Sequence, residues 1–93
     1  MIIGLLRVDI FIPQCNSLKE KRSIVKKHLH RIRRTYNVAV AETGMNDKWR
    51  RAELSFVSIN SLKASVERNL IKVQKELETA GDVQLLDSQM ELL

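Results

Sequence analysis

Glycine, cysteine and aromatic residues are scarce in this chain, and each shortage argues against a class of function. Glycine occurs only three times in 93 residues, at positions 4, 44 and 81, so the sequence has no glycine-rich loop to hold a phosphate or a dinucleotide. The one cysteine, Cys15, cannot form an internal disulfide, which favours a reducing compartment. We therefore expect neither a bound cofactor nor a structural disulfide.

The few residues suited to catalysis or metal binding are also poorly placed for it. His28 and His30 lie two positions apart on a predicted helix and point about 200° away from each other, so they cannot share a metal ion. Cys15 has no histidine near it in sequence, which favours a small semi-buried residue over a nucleophile. The sequence therefore predicts a protein that is not an enzyme and that holds no metal.

Long hydrophobic runs are absent as well. The apolar stretch at residues 2–6 is followed by Arg7 and Asp9, and it is far too short to span a bilayer. With 44% apolar and 29% charged residues, the composition is that of a folded domain with a single modest core. We expect one cytoplasmic domain over residues 1–93, with no membrane anchor.

The apolar pattern predicts the element order β-α-β-β-α-β. Alternating and β-branched residues predict strands over residues 2–12, 37–43, 51–60 and 83–92. Ser17 and Glu20 form a capping box that starts the first helix at Leu18. Ser61 is the predicted cap of the second helix, which stops at Gly81. Two right-handed crossovers and one hairpin then give an α+β fold of the ferredoxin-like type, a four-stranded antiparallel sheet with both helices on one face.

Each predicted helix has one apolar stripe that we expect to face the core. The stripe of the first helix consists of Leu18, Val25, Leu29, Ile32 and Tyr36. The stripe of the second helix consists of Leu62, Val66, Leu70, Val73, Leu77 and Ala80. Lys21 and Arg22 flank the first stripe, so their stems should lie along the sheet edge with the charged heads reaching outward. The alternative is a structural ion pair with a strand carboxylate, Glu42 or Asp9.

Positive charge is concentrated in the first helix. Residues 17–36 contain eight lysines and arginines and one acid, Glu20, whereas the rest of the chain has eight basic and ten acidic residues. On a helical wheel, most of these basic residues form a solvent-facing strip roughly 20 Å long. This predicted basic strip comprises Lys19, Lys26, Lys27, Arg33 and Arg34, with His30 and Arg31 contributing at its margins.

The predicted basic strip favours contact with the phosphates of a nucleic acid. Solvated helix faces usually mix both signs, because like charges four residues apart repel each other. The pairs Lys27/Arg31 and Lys26/His30 have that spacing, and no acid lies on the strip to compensate. A merely solvated helix face is the alternative interpretation.

The loop before the third strand contains a second candidate contact. Trp49, the only tryptophan, is followed directly by Arg50. An aromatic ring beside arginines can stack a base while the arginine holds its phosphate. The alternative is that Trp49 caps the open end of the core, as large aromatic residues often do.

The open face of the predicted sheet differs from an RNA-recognition motif. Such a motif presents stacking aromatics on its two central strands, and the chain has only two phenylalanines, so RNA should meet the helix rather than the sheet. Ile3, Leu5 and Phe11 fall on this open face and form an apolar patch. A second copy of the sheet would cover the patch, which predicts a homodimer through the open sheet face.

Several stretches of the chain resemble the YlxP-like family of small bacterial proteins. They are MIIGLLRVDIFIP, NSLKEKRSIVK, NVAVAE, DKWRRAELS and the closing LLD, and the similarity runs over essentially the whole chain. The resemblance implies a ferredoxin-like fold and no established catalytic residue. Genes of the family commonly lie among those for translation initiation and ribosome maturation, beside ribosome-binding factor A. Family members often carry an acidic or histidine-containing turn before the tryptophan, where this chain has Thr43, Gly44, Met45 and Asn46.

Charge and resemblance together predict an accessory factor of ribosome maturation or translation. Its partner would be RNA or a ribosomal particle, bound by the phosphate backbone through the basic first helix. The alternative is a homodimeric protein-interaction module whose basic helix docks an acidic protein.

Overall fold

The computed structural model describes residues 1–93 and has the predicted order β-α-β-β-α-β. The strands are β1 (Ile2–Phe11), β2 (Val38–Gly44), β3 (Arg51–Asn60) and β4 (Gln84–Leu92). The helices are α1 (Leu18–Thr35) and α2 (Lys63–Thr79). No predicted strand boundary is more than one residue from the observed one.

The four strands form one antiparallel sheet in the order β2-β3-β1-β4. β1 lies between β3 and β4, so Leu6 has Phe56 on one side and Met90 on the other. Both helices contribute to a single buried cluster on one face of this sheet. The fold is therefore the predicted ferredoxin-like one, with α1 lying over β2 and α2 over β1, β3 and β4.

The core follows from the alternation of β1. Leu6, Val8 and Ile10 point toward the helices and are buried, whereas the odd positions face away from them. Gly4 lets α2 approach closely, since a Cβ atom there would clash with the side chain of Val66. Neither helix is both long and apolar enough to cross a membrane.

The two helix starts differ from each other. At α1 the predicted capping box is confirmed: Ser17 Oγ accepts from the Glu20 amide at 3.1 Å, and the Asn16 amide donates to Glu20 Oε2 at 2.8 Å. At α2 the predicted cap, Ser61, is wrong because the helix starts one residue later. Leu62 holds the cap position there and makes no side-chain cap bond, with its side chain 63% exposed rather than facing the core.

Candidate nucleic-acid interface

The core-facing side of α1 is only partly the predicted apolar stripe. Val25 and Ile32 are buried as predicted, and Leu29 and Tyr36 pack against the core while half-buried. Two polar residues, Lys21 and His28, are buried in the same stripe. With Val25 and Ile32 they follow the spacing of three and four residues that marks a buried helix face. This spacing predicts that positions 21 and 28 are buried, although lysine and histidine are residue types usually found at a surface.

Lys21 is an internal residue rather than one whose head reaches outward. Its side chain has no exposed surface, and its Nζ lies 2.9 Å from Oε2 of Glu42 on β2. Nζ also donates to the backbone carbonyl of Met45, whose φ of 59° turns that carbonyl out of the strand direction. The ion pair with Glu42 was the predicted alternative. It fastens α1 to β2 and to the turn that follows β2.

His28 joins α1 to the turn after α2. Its Nε2 lies 2.7 Å from Asp82 Oδ1, and Arg31 donates to its Nδ1 at 2.9 Å, so the neutral ring carries its proton on Nε2. Burial and the nearby charges of Arg31 and Lys27 lower the pKa of His28, and together they outweigh the hydrogen bond and the charge of Asp82, which raise it. The ring is therefore neutral near pH 7, and it holds Asp82 in place.

Asp82 also neutralises part of the predicted basic strip. Lys27 Nζ lies 2.5 Å from Asp82 Oδ2. Burial raises the pKa of the Asp82 carboxyl, but the hydrogen bonds and the charges of Lys27 and His28 together outweigh burial and lower that pKa below its ordinary value of 3.8. Asp82 is thus ionised and engaged on both oxygens.

Arg31 has an acidic partner as well. Its guanidinium lies 3.6 Å from Glu76 on α2. The strip itself has no acid, as the sequence shows, but Lys27 and Arg31 are compensated by acids from outside α1. Their acids come from α2 and the turn after it, and the spacing of residues within α1 contains no signal for such contacts.

The remaining residues of the strip form no ion pair. All are exposed, and none lies within 4.0 Å of a carboxylate oxygen. We call these residues the outer basic strip: Lys19, Lys26, His30, Arg33 and Arg34. An open trough of about 600 Å³ runs along the outer side of α1 and is lined wholly by polar and charged residues, among them Lys26, His30 and Arg34.

A second groove lies between α1 and β2. It has a volume of about 360 Å³, and its apolar lining comes from Val25, Leu29 and Val40. Arg22 joins Lys26 and Arg33 along this groove, and it too has no carboxylate within 4.0 Å. The one acid in the lining, Glu42, is paired with Lys21. Arg22 was not among the predicted contacts, although it lies one helical turn before Lys26 on the same flank.

The second candidate contact lies at the end of the outer basic strip rather than along it. Arg50 Nε donates to the Cys15 carbonyl at 2.9 Å, which places it beside the loop that precedes α1. Trp49 is 53% exposed and is not part of the buried core. Trp49 is therefore accessible, whereas Arg50 already has a structural contact.

The open sheet face is apolar at one end and acidic toward the other. Ile3, Leu5 and Ile59 lie at the apolar end. Pairing of the strands places Asp9 between Glu53 and Asp87 in one row across the sheet. Asp9 is held by Arg51 at 2.7 Å, and no group of three or more His, Cys, Asp or Glu residues has the arrangement to hold a metal ion. The homodimer through this face stays a prediction.

Comparison with known proteins assigns the family. One relative, "Uncharacterized protein YlxP" of Bacillus subtilis (strain 168), is 28% identical over 83 residues, which cover 89% of this chain and 90% of that protein. Residues 3–90 match the family described as "Protein of unknown function (DUF503)". These matches span the capping box, the outer basic strip and Trp49, and they confirm the resemblance found in the sequence. The chain belongs to the DUF503 family.

Proposed function

We propose that the protein binds the phosphate backbone of RNA through the outer basic strip. The single observation that carries the proposal is the row of exposed cationic and imidazole side chains that form no ion pair. A lysine or arginine that meets a phosphate releases condensed counterions, and one already paired with a carboxylate must first give up that partner. The main contacts are therefore Lys19, Lys26, Arg33 and Arg34, with His30 between them. Lys27 and Arg31 contribute less.

The outer basic strip favours backbone contact over base recognition. None of its residues is aromatic, so no flat apolar ring is available along it to stack a base. Trp49 at the end of the strip is exposed enough to stack one base, and it is the subsidiary contact of the proposal. The family resemblance supports RNA of the translation apparatus, which makes a cytoplasmic ribosomal particle the proposed partner.

Binding without catalysis is part of the proposal. In the loop before α1, the Asn16 amide is already donated to Glu20, so it is not free to hold a substrate phosphate. The Cys15 side chain is buried and directed at the Ser17 carbonyl, with Sγ at 3.2 Å, which keeps the thiol away from solvent. Both contacts support a structural role for this loop.

Recovery of the protein from cell lysate, with and without ribonuclease, tests this proposal. The variant Lys26→Glu/Arg33→Glu/Arg34→Glu reverses three charges on α1. Its matched control is Arg68→Glu/Lys72→Glu/Lys75→Glu, which reverses three exposed charges on α2 that also lack a carboxylate within 4.0 Å.

The wild-type protein and the α2 variant should bring down RNA or ribosomal particles in a ribonuclease-sensitive manner, and the α1 variant should not. The proposal fails if no RNA is enriched with the wild-type protein. It also fails if the α1 variant retains the same RNA as the α2 variant.

The groove between α1 and β2 supports a second candidate function, docking of an acidic protein. Its apolar residues Val25, Leu29 and Val40 can receive an apolar side chain, and Arg22, Lys26 and Arg33 can meet acidic groups beside it. A protein partner that remains bound after ribonuclease treatment and is lost in the variant Arg22→Glu/Arg33→Glu would favour this candidate over RNA.

A further inference from the structure

The outer edge of β4 is unpaired. β4 bonds to β1 on one side, and the sheet order leaves no strand on its other side. The Leu93 amide donates to the Ile3 carbonyl at 2.8 Å, so residues 87, 89 and 91 also bond toward β1. The intervening residues Ser88, Met90 and Leu92 therefore turn their amide and carbonyl groups outward. Three donors and three acceptors face solvent in a row.

Exposed apolar side chains accompany this free edge. Met90 and Leu92 are 36% and 41% exposed, and both point to the helix side of the sheet because they lie opposite Leu6 and Gly4. Ile71 of α2 is also exposed, and it lies about 140° around the helix from Glu76, which contacts α1. Ile71 therefore lies on the solvent-facing side of α2, away from α1. Natural proteins usually cover such an edge, because it otherwise pairs with other strands.

We propose that β4 pairs with β4 of a second copy, antiparallel about a two-fold axis at Met90. In this register Met90 meets its counterpart, and Ser88 meets Leu92 of the second copy. All three outward-facing residues then lie in hydrogen-bonded pairs, which gives about six backbone hydrogen bonds across the interface. The two β4 strands become the centre of one continuous eight-stranded sheet.

The charges of β4 and the placement of its apolar side chains both favour a second copy as the partner of this edge. With the axis at Met90, Glu91 lies opposite Gln89 of the second copy, so no acid of one β4 is directly opposite an acid of the other. Met90 and Leu92 lie on the same face in both copies, so Met90 meets Met90 of the second copy and Leu92 lies diagonally beside it. The edge thus complements itself, as a two-fold interface requires.

The open sheet face is a poorer place for the second copy. The row of Asp9, Glu53 and Asp87 lies on it, and only Asp9 has an arginine partner within 4.0 Å. Two copies stacked through that face would bring two such rows into one interface, where like charges lose the water that screens them. Pairing through β4 leaves both rows in solvent.

The edge-paired dimer also has a consequence for RNA binding, which rests on the proposed function. α1 lies over β2, at the end of the sheet opposite β4. A two-fold axis perpendicular to the sheet keeps both α1 helices on the same side, separated by seven strand spacings, or about 34 Å along the sheet. One RNA could then meet two outer basic strips at once.

Sedimentation over a range of protein concentrations tests the pairing. The wild-type protein should sediment at twice the chain mass of 10.7 kDa. Ser88→Pro removes one outward-facing amide without touching a bond to β1, so it should shift the protein to monomer, and Ser88→Ala should remain dimeric. Circular dichroism of both variants verifies that the domain is folded.

Disulfide trapping gives a second measurement that does not depend on the proline variant. Met90→Cys should form a covalent dimer on mild oxidation, because the two positions meet at the axis. Ser55→Cys, on the open sheet face, is the matched variant and should stay monomeric on a non-reducing gel. The proposal is overturned if the wild-type protein is a monomer at every concentration, or if Ser55→Cys is trapped and Met90→Cys is not.

Discussion

The two helices lie on the same face of the sheet, but they differ in what they bury and what they expose. α2 buries four aliphatic residues, Val66, Leu70, Val73 and Leu77. α1 buries a lysine and a histidine beside Val25 and Ile32. Between their ends, α2 has four basic and three acidic residues, whereas α1 has eight basic residues and one acid. α2 thus resembles an ordinary docked helix, and α1 combines docking with a surface of one sign.

The comparison shows where the charge of α1 is used inside the protein and where it is free. Lys21 is buried in an ion pair with Glu42. Lys27 and Arg31 are paired with acids of α2 and of the turn after it. The outward flank of α1 has no such partners. A count of charges in the sequence therefore overstates the number of unpaired cations on α1. Contacts with the neighbouring elements decide which of these cations remain unpaired.

The largest expected effect on stability comes from comparing Lys21, the buried lysine of α1, with Lys26, an exposed one. Lys21→Met should lower the free energy of unfolding by about 3 kcal/mol, because Glu42 loses its partner in a site that is largely closed to water. Lys26→Met makes the same chemical change on the exposed face and should alter that free energy by less than about 0.5 kcal/mol. Urea unfolding at pH 7 measures both.

The double variant Lys21→Met/Glu42→Gln provides the control for the ion pair. Removing both charges should restore most of the lost stability, because neither charge is then buried alone. Equal urea midpoints for Lys21→Met and Lys26→Met would contradict the internal role of Lys21.

A smaller effect is expected at the two helix starts. Ser17→Ala removes the cap of α1 and should lower the free energy of unfolding by about 1 kcal/mol. Leu62→Ser supplies the cap that α2 lacks, at a position that is mostly exposed, and should raise it by about 0.5 kcal/mol. Urea midpoints that move in the same direction for both variants would show that the two helix starts do not differ as described.

The smallest effect concerns the contact of His28 with the turn after α2. The folded protein holds the pKa of His28 below its ordinary value of 6.5, so the unfolded chain takes up a proton first as pH falls. Stability should be full above pH 6.5 and should decline as pH falls below it toward the folded pKa. Urea midpoints measured between pH 7.5 and pH 5.5 should fall less for His28→Gln than for the wild-type protein, and an equal fall in both proteins would contradict this account of His28.

The sequence predicted the fold well because its local signals agree with one another. The alternation of β1, the capping box of Ser17 and Glu20, and the apolar stripe of α2 each specify an element without reference to the rest of the chain. Buried polar residues were predicted less well, since Lys21 and His28 lie at core positions but have the residue types of a surface. The partners of Lys27 and Arg31 are more than 40 residues away, at Asp82 and Glu76, and nothing in the charge pattern of α1 points to them.

The salt dependence of RNA binding tests the role of the outer basic strip most directly. Affinity for a short RNA duplex is measured by fluorescence anisotropy at several salt concentrations, for the wild-type protein and for the two triple charge reversals. The slope of log affinity against log salt reports the number of phosphate contacts, at about 0.9 per contact for a duplex. The α1 variant should bind more weakly with a slope shallower by about 3, and the α2 variant should keep the wild-type slope. The same slope for the α1 variant and the wild-type protein would contradict the assignment of phosphate contacts to α1.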